Sequence, residues 1–267
     1  MITSTTNPTI KRLALLRERR GRTQQGLFLV EGVRLVEEAL DSGAVPAAIL
    51  VAPEPLGSTA RGRALRERLR HARGIPEPLE VTPTVLRHVS DTETPSGVAA
   101  ALPLPAAPML DGLPGESGLT LILDGVSDPG NAGTILRAAA AAGVDAVVAL
   151  AGGADLYAPK VVRAGMGAHF RLALATDVAP TSLAPWLGAR GQVLLADAHA
   201  AATIYDVDLR APIALIVGGE AHGSVHAGAL PGVQGVSIPM PGATESLNVA
   251  MATAVILFEA VRQRRGA

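Results

Sequence analysis

The thirteen residues from Leu119 to Asn131, LTLILDGVSDPGN, decide how this chain is read. An apolar run with no polar alternation ends in Asp, Gly, Pro and Asn. Ala132 to Arg137 then opens a helix with one arginine on an alanine-rich surface. A strand without alternation is buried on both faces, the signature of a parallel sheet between helices. Its closing loop lies at the carboxyl edge of such a sheet, where α/β proteins bind ligands. Working toward the C-terminus, the same pattern predicts strands at 146–150, 171–175, 193–196, 213–217 and 236–238. Helices are expected at 134–142 and 158–167, with a long one from about Leu247 to Arg264.

Toward the N-terminus the periods predict a smaller α/β unit. Helices are expected over 8–22, 33–42, 59–73 and 83–89, and strands over 28–32, 47–52, 79–81 and 97–102. Prolines and glycines crowd the segment beyond it, as a stiff linker does. The division is therefore residues 1–104, a linker over 105–117, and residues 118–267.

The 267 residues include no cysteine, which excludes disulfides, thiolate zinc sites and a cysteine nucleophile. His222 has no second ligand at metal spacing, so no metal is expected. The N-terminus lacks the apolar core of a signal peptide, and no run reaches the roughly 18 apolar residues of a membrane span. The expected setting is the cytoplasm. A net charge of −1 hides an asymmetry. Residues 1–106 hold 14 Lys and Arg against 11 Asp and Glu, and the remainder 9 against 13. Six basic side chains between Lys11 and Arg22, and six arginines between Arg61 and Arg73, each face a single glutamate in sequence. Two such clusters in one half point to a polyanion; each alone also fits a solvated helix face. Lys11, Arg12, Arg19, Arg20, Arg66 and Arg70 are the candidate contacts. With three Phe, two Tyr and one Trp, binding must rely on charge rather than stacked bases.

Three loops carry the chemistry. In the first, Gly130 and Gly133 miss the GxGxxG spacing and Pro129 stiffens the turn, which argues against a dinucleotide site. Asn131 supplies an amide. Arg137 near a helix start suits phosphate, or else pairs with Asp124 or Asp128. The second loop, IVGGEAHGS from Ile216, lets a ligand lie on the Gly218 backbone and sets Glu220 at a strand end; a plain glycine turn with a surface glutamate reads the same way. The third, IPMPGATESLNVA from Ile238, places Met240, Ser246, Leu247 and Asn248 before the last helix, which Ser246 or Asn248 also caps.

Taken together, LDGVSDPGNAGTILRAA, IVGGEAHGS and IPMPGATESLNVAMA resemble the three signature motifs of the SpoU family, ribose 2′-O-methyltransferases of the SPOUT superfamily. Pro159 to Ala168 is similar to the family's connecting helix. Asn7 to Lys11 and Phe28 to Gly32 look like its small substrate-binding domain. The resemblance implies a mostly parallel sheet with helices on both faces and a deep C-terminal trefoil knot. It also implies a homodimer, S-adenosylmethionine as cofactor and RNA as partner, ribosomal RNA before transfer RNA. An inactive RNA-binding protein on the same fold is the alternative from another class. Arg137 would bind a flanking phosphate and polarise the hydroxyl, or accept its proton. Asn131, Glu220, Ser246 and Asn248 would shape the site, while Gly218, Ile238, Leu247 and Met240 would border the cofactor. Ala138, Gly165 and Ser224 depart from the family's usual residues, which leaves the fine geometry open.

Overall fold

The computed structural model describes residues 1–106, 110–113, 118–188, 191–219, 223–230, 232–242 and 246–265. The chain divides into two compact units, one of residues 1–106 with 157–170, the other of 107–156 with 171–267.

In the first unit α1 (Pro8–Ala14), α2 (Arg19–Gln25) and β1 (Leu27–Glu31) precede α3 (Val33–Asp41) and β2 (Ala48–Val51). Then follow α4 (Pro53–Gly57), α5 (Ala60–His71), β3 (Leu79–Glu80), α6 (Pro83–Val89) and β4 (Val98–Pro103). The strands form one sheet in the order β1-β4-β2-β3. β4 is antiparallel to both β1 and β2, while β3 runs parallel to β2. Ile10, Leu13 and Leu16 from the first helical stretch pack with Val85, Leu86 and Val89 of α6 over Leu29, Leu50 and Ala99 of the sheet.

The helix expected over 8–22 is broken in two. A 3-10 turn at Leu15–Arg17 separates α1 from α2. Arg22, 3 % exposed, turns inward and donates from Nη1 to the Leu16 and Arg17 carbonyls at 2.8 and 2.9 Å. A helix end leaves such carbonyls without intrahelical partners, and Arg22 supplies the donor. Arg22→Ala should therefore destabilise the protein by about 2–3 kcal/mol, read as a lower midpoint in denaturant. A midpoint equal to the wild type's would remove this role.

The second unit contains β5 (Leu119–Asp124), α7 (Pro129–Ala142) and β6 (Ala146–Leu150). Next along the chain comes α8 (Pro159–Gly165), which packs on β1 and so belongs to the first unit. The second unit resumes with β7 (Ala173–Val178), α9 (Pro180–Leu187), β8 (Gln192–Ala196), β9 (Ile213–Gly218), β10 (Val233–Val236) and α10 (Val249–Arg265). Its sheet order is β10-β8-β9-β5-β6-β7, and every neighbouring pair is parallel. Ile122, Val148 and Ile216 pack with Leu183, Trp186 and Leu187 of α9. The alternate residues Leu121, Leu123, Val147, Leu215 and Val217 point to the other face and are equally buried. Both faces are covered, as the apolar runs imply. On the second face α10 packs against α7 and β9.

Two strands are displaced from their expected positions. The third strand of this unit begins at Ala173 rather than Arg171, and the last spans 233–236 rather than 236–238. Helices α4 and α9 had no counterpart among the expected elements; both are short and start at a proline.

Candidate active site

β5 is the pivot of the second sheet: β6 and β7 lie to one side of it, and β9, β8 and β10 to the other. A crevice opens at such a reversal beyond the carboxyl ends of the strands. The three motif loops follow β5, β9 and β10, so the order of the strands gathers them there.

Helix α7 starts five residues earlier than expected. Asp128 is its N-cap, with Oδ1 accepting from the Asn131 amide at 2.8 Å, and Pro129 takes the first helical position, where a missing N–H costs nothing. Asn131 is thus held in a first helical turn and not in a loop. Asn248 caps α10, its Oδ1 accepting from the Ala250 and Met251 amides at 2.9 and 3.3 Å. Its Nδ2 donates to Asn131 Oδ1 at 3.0 Å. Capping and site-building are therefore done by the two ends of one amide, and residues 117 apart in sequence are joined. Ser246 does not take the capping role.

Beside this pair lies a cleft of about 800 Å³ whose wall includes Gly218, Ile238, Met240, Ser246, Leu247 and Asn248. Backbone packing is tight at the glycines. A Cβ on Gly218 would lie 2.2 Å from the Gly223 carbonyl carbon, and one on Gly219 2.2 Å from the Gly125 oxygen. Gly219 and Gly223 exchange backbone hydrogen bonds at 2.9 and 3.0 Å, closing the intervening loop. Glu220 and His222 fall in that loop and lie outside the described residues.

Arg137, two turns into α7, is exposed. Among the described residues it has no hydrogen-bond or ion-pair partner. The two carboxylates it could have paired with are engaged elsewhere. Asp128 caps the helix. Asp124, 1 % exposed, accepts from Ser224 Oγ, from the His226 amide at 2.7 Å and from His226 Nδ1 at 2.8 Å. Burial pushes its carboxyl up, but the hydrogen bonds from Ser224 and His226 outweigh it and bring the group below its ordinary range. Sequence reasoning considered Asp124 only as a partner for Arg137 and missed this cluster.

The basic residues of the first unit separate into two kinds. Lys11, Arg12 and Arg20 are exposed, and their side chains have no partner among the described residues. Arg19 is exposed and engaged within the fold. On α5, by contrast, Arg66 meets Glu80 at 3.4 Å, Arg70 meets Glu67 at 3.6 Å, and Arg68 meets Asp41 at 2.7 Å. Carboxylates brought in from α3 and β3 offset much of the charge that the linear count assigned to this helix. Among the described residues no His, Asp and Glu cluster could hold a metal, and no helix is long and apolar enough to cross a membrane.

Residues 118–258 match the model of the SpoU rRNA Methylase family, and residues 7–100 that of the MRM3-like substrate binding domain. The chain belongs to the SpoU family. It is 35 % identical over 259 residues to the 23S rRNA (uridine(2479)-2′-O)-methyltransferase of Streptomyces viridochromogenes, covering 94 % of this chain and 88 % of that protein. It is 33 % identical over 266 residues to the 23S rRNA (guanosine(2553)-2′-O)-methyltransferase RlmP of Bacillus subtilis, covering 96 % and 97 %. Among solved structures, the SpoU methyltransferase AviRb from Streptomyces viridochromogenes in complex with AdoMet superposes with a TM-score of 0.85 at 31 % identity, over 98 % of this chain and 99 % of that one. The family thus has members of this length and architecture that take up the cofactor expected here.

Proposed function

We propose that this protein transfers a methyl group from S-adenosylmethionine to a ribose 2′-hydroxyl of RNA, with ribosomal RNA as the substrate class. The observation that carries the reading is the Asn131–Asn248 hydrogen bond. It closes the first and third motifs on each other beside the cleft, with Arg137 unengaged on the same helix. The cleft suits the cofactor: it is large enough for a nucleoside with an amino-acid tail, and apolar, glycine, Ser and Asn residues border it.

S-adenosylmethionine supplies a methyl already activated on a sulfonium, so the protein's task is the hydroxyl. Arg137 binds the phosphate flanking the target ribose and places the hydroxyl in line. A guanidinium stays charged, so it stabilises charge developing on the oxygen instead of taking the proton. Asn131 and Asn248, fixed by their caps and by each other, hold the ribose edge, and Ser246 and Glu220 complete the site. Residues 1–104 serve as the RNA-binding domain and 118–267 as the catalytic one, apart from the 157–170 stretch that packs in the first unit. Lys11, Arg12 and Arg20 are the first RNA contacts, with Arg19, engaged within the fold, and Arg66 and Arg70, each already facing a carboxylate, contributing less.

The working form in this proposal is a cytoplasmic homodimer in which Arg137 of one subunit serves the cleft of the other. Met251, Val255 and Phe258, spaced along one face of α10 and 62, 39 and 49 % exposed, support a second copy as their cover. The trefoil knot belongs to the same proposal. Ser237, just past β10, exchanges backbone hydrogen bonds with Ala202 and Ile204, so the final passage runs against the connection between β8 and β9.

Incubation with methyl-labelled S-adenosylmethionine and, separately, ribosomal and transfer RNA from a strain lacking the protein tests the function. Label in ribosomal RNA as alkali-resistant dinucleotide is expected. Label confined to transfer RNA would refute the substrate class, and binding of RNA without transfer would favour the inactive RNA-binding protein. RNA affinity should fall steeply with salt, and Lys11→Ala and Arg12→Ala should each lower the log–log slope by about 0.7–0.9. An unchanged slope would clear α1 of phosphate contacts.

A further inference from the structure

We propose that Asp124 is a positioning residue that fixes one wall of the cofactor cleft by holding the 223–228 segment to the end of β5 through Ser224 and His226. The inference rests on the reading of the cleft as the S-adenosylmethionine site and goes beyond the motif residues.

Three observations carry it. The first is the cost of the group. A carboxylate that is 1 % exposed at the end of a central strand is strongly disfavoured unless its oxygens are satisfied. The second is where its partners come from. Ser224 Oγ and the His226 amide donate to Oδ2, and His226 Nδ1–H donates to Oδ1. All these donors come from one three-residue stretch about a hundred positions away in sequence. An ionised carboxylate can only accept, which fixes the direction of each bond. The third is what the stretch builds. Gly223, Ser224, Ala227 and Gly228 stand on the cleft wall, whereas Asp124 does not. Ser224 also accepts from the Ala227 amide at 3.1 Å and so anchors the turn that follows. Asp124 therefore acts on the cleft only through the segment it holds. Its carboxyl, held below the ordinary range, keeps the clamp ionised at neutral pH.

The same clamp bears on Gly219 and Gly223, which are joined by two backbone bonds. Ser224 is the next residue along, so fixing it also holds Gly223 against the end of β9. Here Ser224, a departure from the aliphatic residue usual in the family, has a defined task.

The test compares wild type, Asp124→Ala, Asp124→Asn and Ser224→Ala in the full-length protein. S-adenosylmethionine binding is measured by titration calorimetry, and KM is measured separately for cofactor and RNA. Asp124→Ala should weaken cofactor binding at least about tenfold and Ser224→Ala by about three- to tenfold, as expected for lost charge-assisted hydrogen bonds. KM for RNA should not change. Asp124→Asn should recover most of the affinity, since its amide oxygen accepts as Oδ2 does and its NH2 can donate to a neutral imidazole. Cofactor affinity in Asp124→Ala or Ser224→Ala equal to wild type would overturn the proposal. Asn failing as badly as Ala would overturn it too, by showing that the charge itself acts on the ligand. If Asp124→Ala does not fold, Ser224→Ala decides alone. Wild-type protein that binds RNA but not S-adenosylmethionine would instead sink the underlying reading of the cleft, a result no variant is needed to see.

Discussion

Arg137→Ala is expected to lower the rate of methyl transfer by about 10²–10³-fold, the usual loss when one preorganised electrostatic group is removed. Melting temperature and S-adenosylmethionine affinity should stay at wild-type values. The separation follows from the position of the side chain, which is exposed on α7 with no partner among the described residues. Arg137→Lys should restore little, because an ammonium lacks the planar fork that grips a phosphate and a hydroxyl together. The readout is single-turnover transfer at saturating RNA, with calorimetry for the cofactor. A variant that transfers at the wild-type rate would remove Arg137 from the mechanism. In the proposed dimer, mixing Arg137→Ala subunits with Asn248→Ala subunits should recover part of the activity, since some mixed dimers hold one intact composite site.

Gly219→Ala should disturb the cleft strongly for a change of one methyl group. Its Cβ would stand 2.2 Å from the Gly125 oxygen and 2.9 Å from the Gly125 carbon, and both are backbone. Gly125 itself has φ +82°, a conformation that favours glycine. The ends of β5 and β9 must part, and with them the two loops that meet at the cleft. Expected are a loss of about 1–3 kcal/mol of stability, as for overpacking elsewhere, and a cofactor affinity weakened more than tenfold. Thermal melts with and without S-adenosylmethionine measure both. A ligand-induced rise in Tm equal to that of the wild type would show that the close approach of Gly125 and Gly219 is not needed for binding.

The strand pattern was legible where burial alone shapes it. The run at Ala146–Leu150 is observed with the same bounds, and β5, β8 and β9 differ from expectation by about a residue at an end. Errors came where a side chain, and not a period, sets the boundary. Pro129, Gly130 and Gly133 read as loop residues, yet Asp128 supplies the cap and Pro129 the first helical position, so α7 begins there. The break between α1 and α2 depends on a buried arginine meeting two carbonyls, and no amphipathic pattern encodes that. The site divides the same way. The motif residues along the cleft were reachable because Gly218, Ile238 and Leu247 sit in recognisable loops. The Asn131–Asn248 bond could be placed only through a resemblance, since nothing local in either segment refers to the other. Asp124, Ser224 and His226 had no such guide. Their contact spans about a hundred residues and leaves no periodicity in sequence.

The excursion of residues 157–170 has a consequence for how such proteins can be recombined. Because Val161, Val162 and Ala168 are buried within the first unit, the chain crosses between the units at three places, near 106, 156 and 170. A protease cut in the linker would sever one crossing and leave two. A fragment starting at residue 118 would carry an apolar helix stripped of its cover. The N-terminal unit is therefore not a detachable cassette. Retargeting the enzyme by exchanging that unit would require transplanting two separate stretches of sequence, one of them lying inside the span that matches the catalytic family.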